Sequence, residues 1–444
     1  MKARLFAFLL VAFAAFSFAG CHTHNATFID PFADQDVDTP LAPGEFGLVK
    51  LDPKDYPDMR MAWSDRAGLE RAIDKSIQYL NAPSSIHGFP SGPNDPITHD
   101  QVLATLLDIK RMLHDPAITA DRFQQEVLAR YEVWTSKGYN HKGDVWFTGY
   151  YTPIYQGSPT PTSEFKYPIY GRPADLVSDP FTGDVQGTYP TRRELLQSGK
   201  LNGLEIMYFR KPIEPFIIQV QGSAKVILPN GQEMLLGFAG TNGREHRGLG
   251  SELVKEGKID KKHLSLPTVL AYFDAHPGEL DEYVMRDDRF TFLKPYGAGE
   301  WPSGSLGVQV TEHRSLATDK KIFPRASFTF IDVPKPTADG NTVPYKGFVL
   351  DQDTGGAIRA AGRADIYMGI GPEAGKLAGR EFAQGRLFYI FIKPEFAQVS
   401  HPNLTKAPAK GAAPAKSGAP AAGGPTMPAK AGDSEMFPGA VKKN

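Results

Sequence analysis

Val349 to Tyr367 reads V-L-D-Q-D-T-G-G-A-I-R-A-A-G-R-A-D-I-Y. The apolar and β-branched residues at both ends, G-F-V-L-D before and A-D-I-Y after, predict two strands. The Gly- and Ala-rich run between them predicts the turn that joins them. Three aspartates, Asp351, Asp353 and Asp365, sit in this strand-turn-strand, where little else is charged. Aspartates beside glycine commonly do no more than close a turn. Two of them, Asp353 and Asp365, flank the turn and are able to reach one cleft, so carboxylate acid–base chemistry stands beside the structural reading.

Outward from this stretch the same character recurs. V-W-F-T-G-Y-Y from Val145, F-K-Y-P-I-Y, I-M-Y-F-R and F-I-I-Q-V-Q-G-S-A-K-V-I-L all carry strand composition. Asn230-Gly231 between V-I-L and M-L-L-G-F is a hairpin signal. L-G-V-Q-V, F-T-F-I-D-V and R-L-F-Y-I-F-I extend the pattern to Lys393. Before Val145 the period changes. Leu69, Ala72, Ile73, Ile77 and Leu80 predict an amphipathic helix with its start near Ser64 and Asp65. Asp100 to Leu113 predicts a second, and a third begins at Thr119. The fold class is therefore mainly β with N-terminal helices and a helical patch between Gly250 and Asp287.

The two ends differ from this body. Met1–Arg4 is basic, and the run to Ala19 is apolar apart from Ser17, which reads as a secretory signal over residues 1–20. That run is shorter than the roughly 20 residues a membrane span needs. Phe18-Ala19-Gly20-Cys21 resembles a bacterial lipobox, whose cysteine receives lipid. Cys21 is the one cysteine of the chain. No internal disulfide is expected, and no Cys nucleophile or Cys-ligated zinc in the mature domain. By resemblance to enteric lipoproteins, His22 after that cysteine implies an outer-membrane protein facing the periplasm. Residues 21–60 are Pro- and Asp-rich and are expected to be a tether. Residues 399–444 are rich in Ala, Pro, Gly and Lys and cannot build a core, so they are expected to be a disordered tail. In 444 residues, 41% hydrophobic and 22% charged is the composition of a soluble globular body. A formal net charge of -1 gives no basic footprint for nucleic acid.

Other motifs do not carry chemistry. Asp353-Thr354-Gly355 is the only D-T-G, whereas an aspartic protease needs two such loops or a dimer. Gly369-Ile-Gly371-Pro-Glu-Ala-Gly375 mimics a dinucleotide loop, but its third glycine is one residue late and Pro372 interrupts it. It is better read as a glycine-rich lead into a helix at Pro372. No H-E-x-x-H occurs among 11 histidines, and no G-x-S-x-G is present. No cofactor and no metal are expected.

Read in order, Phe147-Thr-Gly-Tyr-Tyr-Thr-Pro153, Tyr167-Pro-Ile-Tyr170, Val220-Gln-Gly-Ser223, Phe238-Ala-Gly-Thr-Asn-Gly243, Asp353-Thr-Gly-Gly-Ala-Ile358, Asp365-Ile-Tyr367 and Gly369 to Gly375 resemble the family of membrane-bound lytic murein transglycosylase A, over about Glu45 to Phe396. The resemblance implies a double-psi β-barrel domain built from 61–153 and 295–398, a second β-domain inserted at 154–294, and a groove for glycan between them. It implies cleavage of the β-1,4 bond between N-acetylmuramic acid and N-acetylglucosamine without water, leaving a 1,6-anhydro ring. Asp365 matches the family's catalytic acid, and Asp353 and Asp319 match two supporting aspartates. Thr148, Gln221 and Ser223 lie in the motifs and are expected sugar contacts. The implied partners are peptidoglycan strands, the membrane through the lipid, and cell-wall synthesis or division proteins. After Asn242-Gly243 the family tends to have tyrosine and serine where this chain has His246 and Gly248.

One carboxyl group is enough for that reaction, because the nucleophile lies within the substrate. The acid must hold its proton when substrate arrives, although a free aspartate ionises near pH 3.9. An apolar cleft and a neighbouring like charge both favour the protonated form. Two other readings remain at this point. One is a silent glycan-binding lipoprotein on the same barrel. The other is a glycosidase that activates water through a second carboxylate, with Asp353 as its base.

Overall fold

The computed structural model describes residues 37–397, except 38, 43, 95, 180–182, 298–300 and 357. The expected signal peptide, the lipidation site Cys21 and the expected tail lie outside the described residues. The chain begins with a short strand, β1 (Leu48–Lys50), then four helices: α1 (Arg60–Ser64), α2 (Leu69–Leu80), α3 (His99–His114) and α4 (Ala120–Arg130). Strands β2 (Tyr131–Ser136) and β3 (Asp144–Thr152) follow. The next segment holds β4 (Ile154–Ser158), β5 (Tyr167–Tyr170), α5 (Arg192–Gln197), β6 (Glu205–Phe209), α6 (Ile213–Gln221), β7 (Ser223–Ile227) and β8 (Glu233–Thr241). Helices α7 (Leu249–Lys255), α8 (Leu266–Ala275) and α9 (Leu280–Val284) precede β9 (Thr291–Pro295). The last part is β10 (Ser315–Ala317), β11 (Phe328–Pro336), β12 (Thr342–Asp353), β13 (Arg363–Ile370), α10 (Pro372–Ala378) and β14 (Phe382–Ile392).

Six strands close on themselves in the order β3-β14-β11-β12-β10-β13, with β13 returning to β3. Two pairings, β10 with β12 and β13 with β3, are parallel, and the other four are antiparallel. Closure leaves no free edge among these strands. This is the barrel expected from the sequence, with strands drawn from both ends of the folded chain. The helices cover one side of it. Trp63 stacks on Phe123 at 3.9 Å, and both rings meet the edge of Phe348. Gln101 on α3 donates from Nε2 to the Ile392 carbonyl, 2.9 Å, and the Ile392 N–H donates to Thr105, 2.8 Å.

The second sheet has the order β5-β6-β4-β7-β8-β9. Its core is Ile169, Met207, Phe209, Ile218, Val226, Leu236 and Leu293. The hairpin expected at Asn230-Gly231 joins β7 to β8, with Gly231 at φ 81°. A small helical core packs beside the sheet, with Phe216, Leu253, Phe273 and Tyr283 at its centre.

Several expectations are corrected. The part of 21–60 nearest the body is not a tether: β1 pairs with β2, and Leu48 and Met59 are buried. Its polar composition hides two apolar anchors. Helix α2 is not capped by Ser64 or Asp65, which end α1; Gly68, at φ 72°, stands at its start. F-I-I-Q-V-Q is helix, not strand. Ile213, Phe216 and Ile217 enter the helical core while Ile218 enters the sheet core, so α6 buries apolar residues on two sides and hides the helical period. Gly222, at φ 76°, stops it, with its N–H bonded to the Ile218 carbonyl. L-G-V-Q-V makes only an isolated bridge between Ser303 and Gln309.

Candidate active site

The register of the barrel places the two aspartates on one row. Ala317 on β10 pairs with Asp353 of β12 on one side and with Asp365 of β13 on the other. Asp365 pairs in turn with Thr148 of β3. Residues level with one another on adjacent strands share a face. Adjacent strands lie about 4.8 Å apart, so the Asp353 and Asp365 backbones stand roughly 10 Å apart with only the methyl group of Ala317 between them. A register shift between Leu316 and Ala317 brings Asp353 level with that row. Behind Asp365, Ala364 and Ile366 are buried in the main core, so the strand is held from within while the acid faces outward.

Asp353 is held by three donors. The backbone N–H groups of Ser305 (2.7 Å) and Thr354 (2.8 Å) donate to Oδ1, and the Tyr150 hydroxyl donates to Oδ2 at 2.9 Å. Gly304 makes this possible, because a Cβ there would lie 2.8 Å from the Gln352 carbonyl oxygen. Burial in the groove wall pushes the Asp353 carboxyl above its usual range, against these donors and the charge of Lys320. Burial and then the Asp353 charge push the Tyr150 phenol well above its ordinary value, so it remains a donor. The Tyr150 ring lies 5.1 Å from that of Tyr367, whose hydroxyl meets Thr152 at 2.9 Å.

Asp351, the third aspartate of Val349–Tyr367, is fully buried and structural. It accepts from Thr318, from Tyr389 at 2.7 Å and from the Lys320 ammonium. Lys320 is pulled below its ordinary pKa by burial, with Asp351 opposing the shift.

A groove of about 930 Å³ runs between the barrel and the second sheet. It is lined on one side by Asp319, Lys320, Asp353 and Thr354, and on the other by Gln221, Asn242 and Arg289. An inner pocket of about 160 Å³ holds Asp365, Asp353, Ala317 and Tyr150 opposite Gln219, Gln221, His246 and Arg289.

The predicted residues divide accordingly. Asp365, Asp353 and Gln221 come together in the inner pocket. Asp319 lines only the outer groove, where its Oδ1 accepts from the Lys321 N–H. Thr148 lies beside Asp365 in register but lines neither cavity; it accepts a long 3.4 Å contact from Arg363. The Ser223 hydroxyl is engaged with Thr152 at 2.9 Å and Ser223 is buried, although it borders the outer groove. Gln221 ends α6 rather than lying in a strand, and its side-chain oxygen accepts from the Tyr151 N–H at 3.1 Å.

Sequence reasoning missed the wall facing the acids. Arg192 is buried and donates to Gln219 (2.7 Å) and to the Asp287 carbonyl (3.0 Å). Asp287 also accepts from the Arg247 N–H at 2.9 Å and meets His246 at 3.1 Å. Burial lowers Arg192 to about 10, so it keeps its charge at neutral pH. Burial would raise the Asp287 carboxyl, but His246, Arg192 and the Arg247 N–H together hold it below its usual value. No local motif marks this network, whose members are nearly 100 positions apart. Tyr150, by contrast, sits in the T-G-Y-Y motif.

Residues 146–294 match the MltA specific insert domain, and residues 314–391 match the 3D domain. The membrane-bound lytic murein transglycosylase A of Escherichia coli strain K12 is 30% identical over 267 residues, 59% of this chain and 70% of that protein. The Vibrio cholerae protein of the same name is 32% identical over 262 residues, covering 58% and 68%. A crystal structure of membrane-bound lytic murein transglycosylase from Agrobacterium tumefaciens superposes with a TM-score of 0.62 at 25% identity, over 78% of this chain and 98% of that one. E. coli MltA with bound chitohexaose gives 0.58 at 25% identity, over 83% and 99%. With the barrel, the inserted sheet and the groove between them, these matches show that the chain is a peptidoglycan lytic transglycosylase and belongs to the membrane-bound lytic murein transglycosylase A family.

Proposed function

We propose that this enzyme cleaves the β-1,4 bond between N-acetylmuramic acid and N-acetylglucosamine without water, with Asp365 as the single general acid and base. Asp365 gives its proton to the glycosidic oxygen as the bond to C1 breaks. The muramoyl 6-hydroxyl oxygen then bonds to C1, and the Asp365 carboxylate takes the hydroxyl proton. The group ends protonated as it began, and the product is a 1,6-anhydro ring.

The observation that carries this reading is that Asp353 and Asp365 stand on one row at the groove, with Asp365 in the inner pocket and Asp353 committed to the wall. Asp353 has both oxygens committed to three donors, so moving a proton on or off it breaks bonds that hold the loop. Its charge instead favours a proton on a neighbouring carboxyl group and steadies positive charge developing at C1. Asp365 lines the inner pocket between the two walls. Murein as substrate is supported by the relatives' names, and a glycan in the groove by the chitohexaose-bound neighbour. Asp319 and Asp353 are proposed as supporting acids, and Gln221, Thr148 and Ser223 as sugar contacts or supports of them.

The test is product analysis. Digestion of purified murein in ¹⁸O-water should give only 1,6-anhydro ends and no label at C1, because intramolecular attack gains an effective molarity of roughly 10⁵ M or more. Label at C1 would mean an activated water and would move the base to Asp353. Asp365→Asn should lose on the order of 10⁴-fold in turnover, near the upper end for one acid–base group, while still binding glycan. Turnover close to wild type would end the assignment.

The relatives are named membrane-bound. Among the described residues, no helix is long and apolar enough to cross a membrane. We propose that attachment is through lipid on Cys21, in the outer membrane facing the periplasm.

A further inference from the structure

Three arginines gather where the groove passes the inner pocket. Arg244 comes from the loop that follows β8, Arg289 from the segment that leads into β9, and Arg359 from the loop that follows β12. Each spends one N–H on a backbone carbonyl: Arg289 on Arg244 (3.2 Å), Arg359 on Gly356 (2.9 Å) and Arg244 on Tyr189 (2.8 Å). The side chains are therefore positioned before any ligand arrives. Arg289 crosses to the barrel side, where its Nε would lie 2.8 Å from a Cβ built on Gly356. Among the described residues, none of the three has a carboxylate within ion-pair distance. Asp287 accepts from the Arg289 backbone N–H at 3.2 Å, but it and Glu245 act on the guanidinium only through space, and Asp287 is already engaged by His246 and Arg192. Burial and then the charge of Arg359 hold Arg289 below its ordinary pKa, so the two cations oppose one another across the groove.

Such a cluster is costly unless an anion completes it, and the planar guanidinium fork suits a carboxylate. The chitin-like backbone is neutral. In murein the acidic group hangs from the muramoyl residue, as a lactyl carboxylate when the peptide is absent or as a carboxylate of the stem peptide when it is present. We propose that Arg289 and Arg359, with Arg244, form a carboxylate-recognition subsite that reads this acidic substituent and so seats a muramoyl unit beside Asp365. The inference rests on murein being the substrate. The subsite gives the groove polarity, because only one of the two alternating sugars carries the acid.

The test is binding, so that it does not depend on cleavage. Full-length protein carrying Asp365→Asn is titrated with chitohexaose, with a peptide-free muramoyl-glucosaminyl oligomer and with the same oligomer bearing stem peptides. One or both acidic glycans should bind roughly tenfold or more tightly than the neutral one at low salt, and added salt should narrow the gap. Adding Arg289→Gln and Arg359→Gln together should remove the preference, weakening the acidic glycans by far more than chitohexaose. Gly356→Ala, which pushes on the Arg289 guanidinium without removing a charge, should weaken the acidic glycans selectively and serves as a second test if the double variant folds poorly. An arginine dependence seen with the peptide-free oligomer assigns the lactyl carboxylate; one confined to the peptide-bearing oligomer assigns the stem. Equal loss for all three glycans, or no loss, overturns the subsite while wild-type product analysis still stands on its own. Binding of chitohexaose but of neither muramoyl oligomer overturns the murein reading itself.

Discussion

The Tyr150 hydroxyl donates to Oδ2 of Asp353 across 2.9 Å, joining β3 to β12 over the two strands between them. The bond spans the row on which Asp365 sits, so the positions of the two acids depend on the barrel being closed. Tyr150→Phe keeps the ring against Tyr367 and removes one of three donors to Asp353. It should cost about 1 kcal/mol in stability and lower kcat about tenfold with little change in KM. A full loss of activity in a folded Tyr150→Phe would mean that the phenol itself moves a proton.

Ala317 is the spacer between the acids and is 3% exposed. Ala317→Leu would place three more carbons in the gap and in the inner pocket. Overpacking should cost about 1–3 kcal/mol, and glycan binding should fall together with turnover, in contrast to Asp365→Asn. Calorimetry with chitohexaose separates the two, and unchanged binding in Ala317→Leu would refute the placing of sugar over that row.

Glu381 carries a third, independent prediction. It is 2% exposed, and among the described residues neither of its carboxyl oxygens has a hydrogen-bond partner. Burial raises it to about 8, with Lys335 pulling the other way. A raised carboxyl pKa means that the folded state holds a proton the unfolded chain releases. Its stability is therefore complete below the ordinary glutamate value of 4.5 and declines as pH rises towards about 8. Glu381→Gln, which cannot ionise, should raise the melting temperature relative to wild type more at pH 8 than at pH 5. The corresponding gain in stability should differ between the two pH values by on the order of a few kcal/mol. The same shift at both pH values would show that the carboxyl is not titrating in that window.

Cys21→Ser should abolish incorporation of labelled palmitate in a host with lipoprotein-processing enzymes and leave the protein unprocessed or soluble. Wild type that incorporates no label would refute the lipid anchor.

Much of the fold is legible in the amino-acid sequence. The strand-turn-strand at Val349–Tyr367, the Asn230-Gly231 hairpin and the helix entered through Gly371 are local, and each forms where its residues place it. The errors fall where local pattern and tertiary environment part. Phe216 to Gln221 reads as strand because a helix that buries apolar residues in two cores shows no single apolar stripe. The end of the 21–60 segment reads as a tether because two buried apolar residues, Leu48 and Met59, are too few to make a period.

The sequence by itself determined the class of the barrel, the family and the candidate acid, because these are written in short contiguous motifs. Only the tertiary structure decided where the acids stand and how Asp353 is held. The one-residue shift at Leu316 and Ala317 sets Asp353 level with Asp365, and Tyr150, Ser305 and Thr354 arrive from three separate segments to occupy the Asp353 carboxylate. The Arg192–Asp287–His246 wall and the arginines at the groove are likewise assembled across the fold. A carboxyl group's chemistry is set by burial and by the donors and charges within a few ångströms of it. Those neighbours are fixed by chain closure in three dimensions, not by position along the chain.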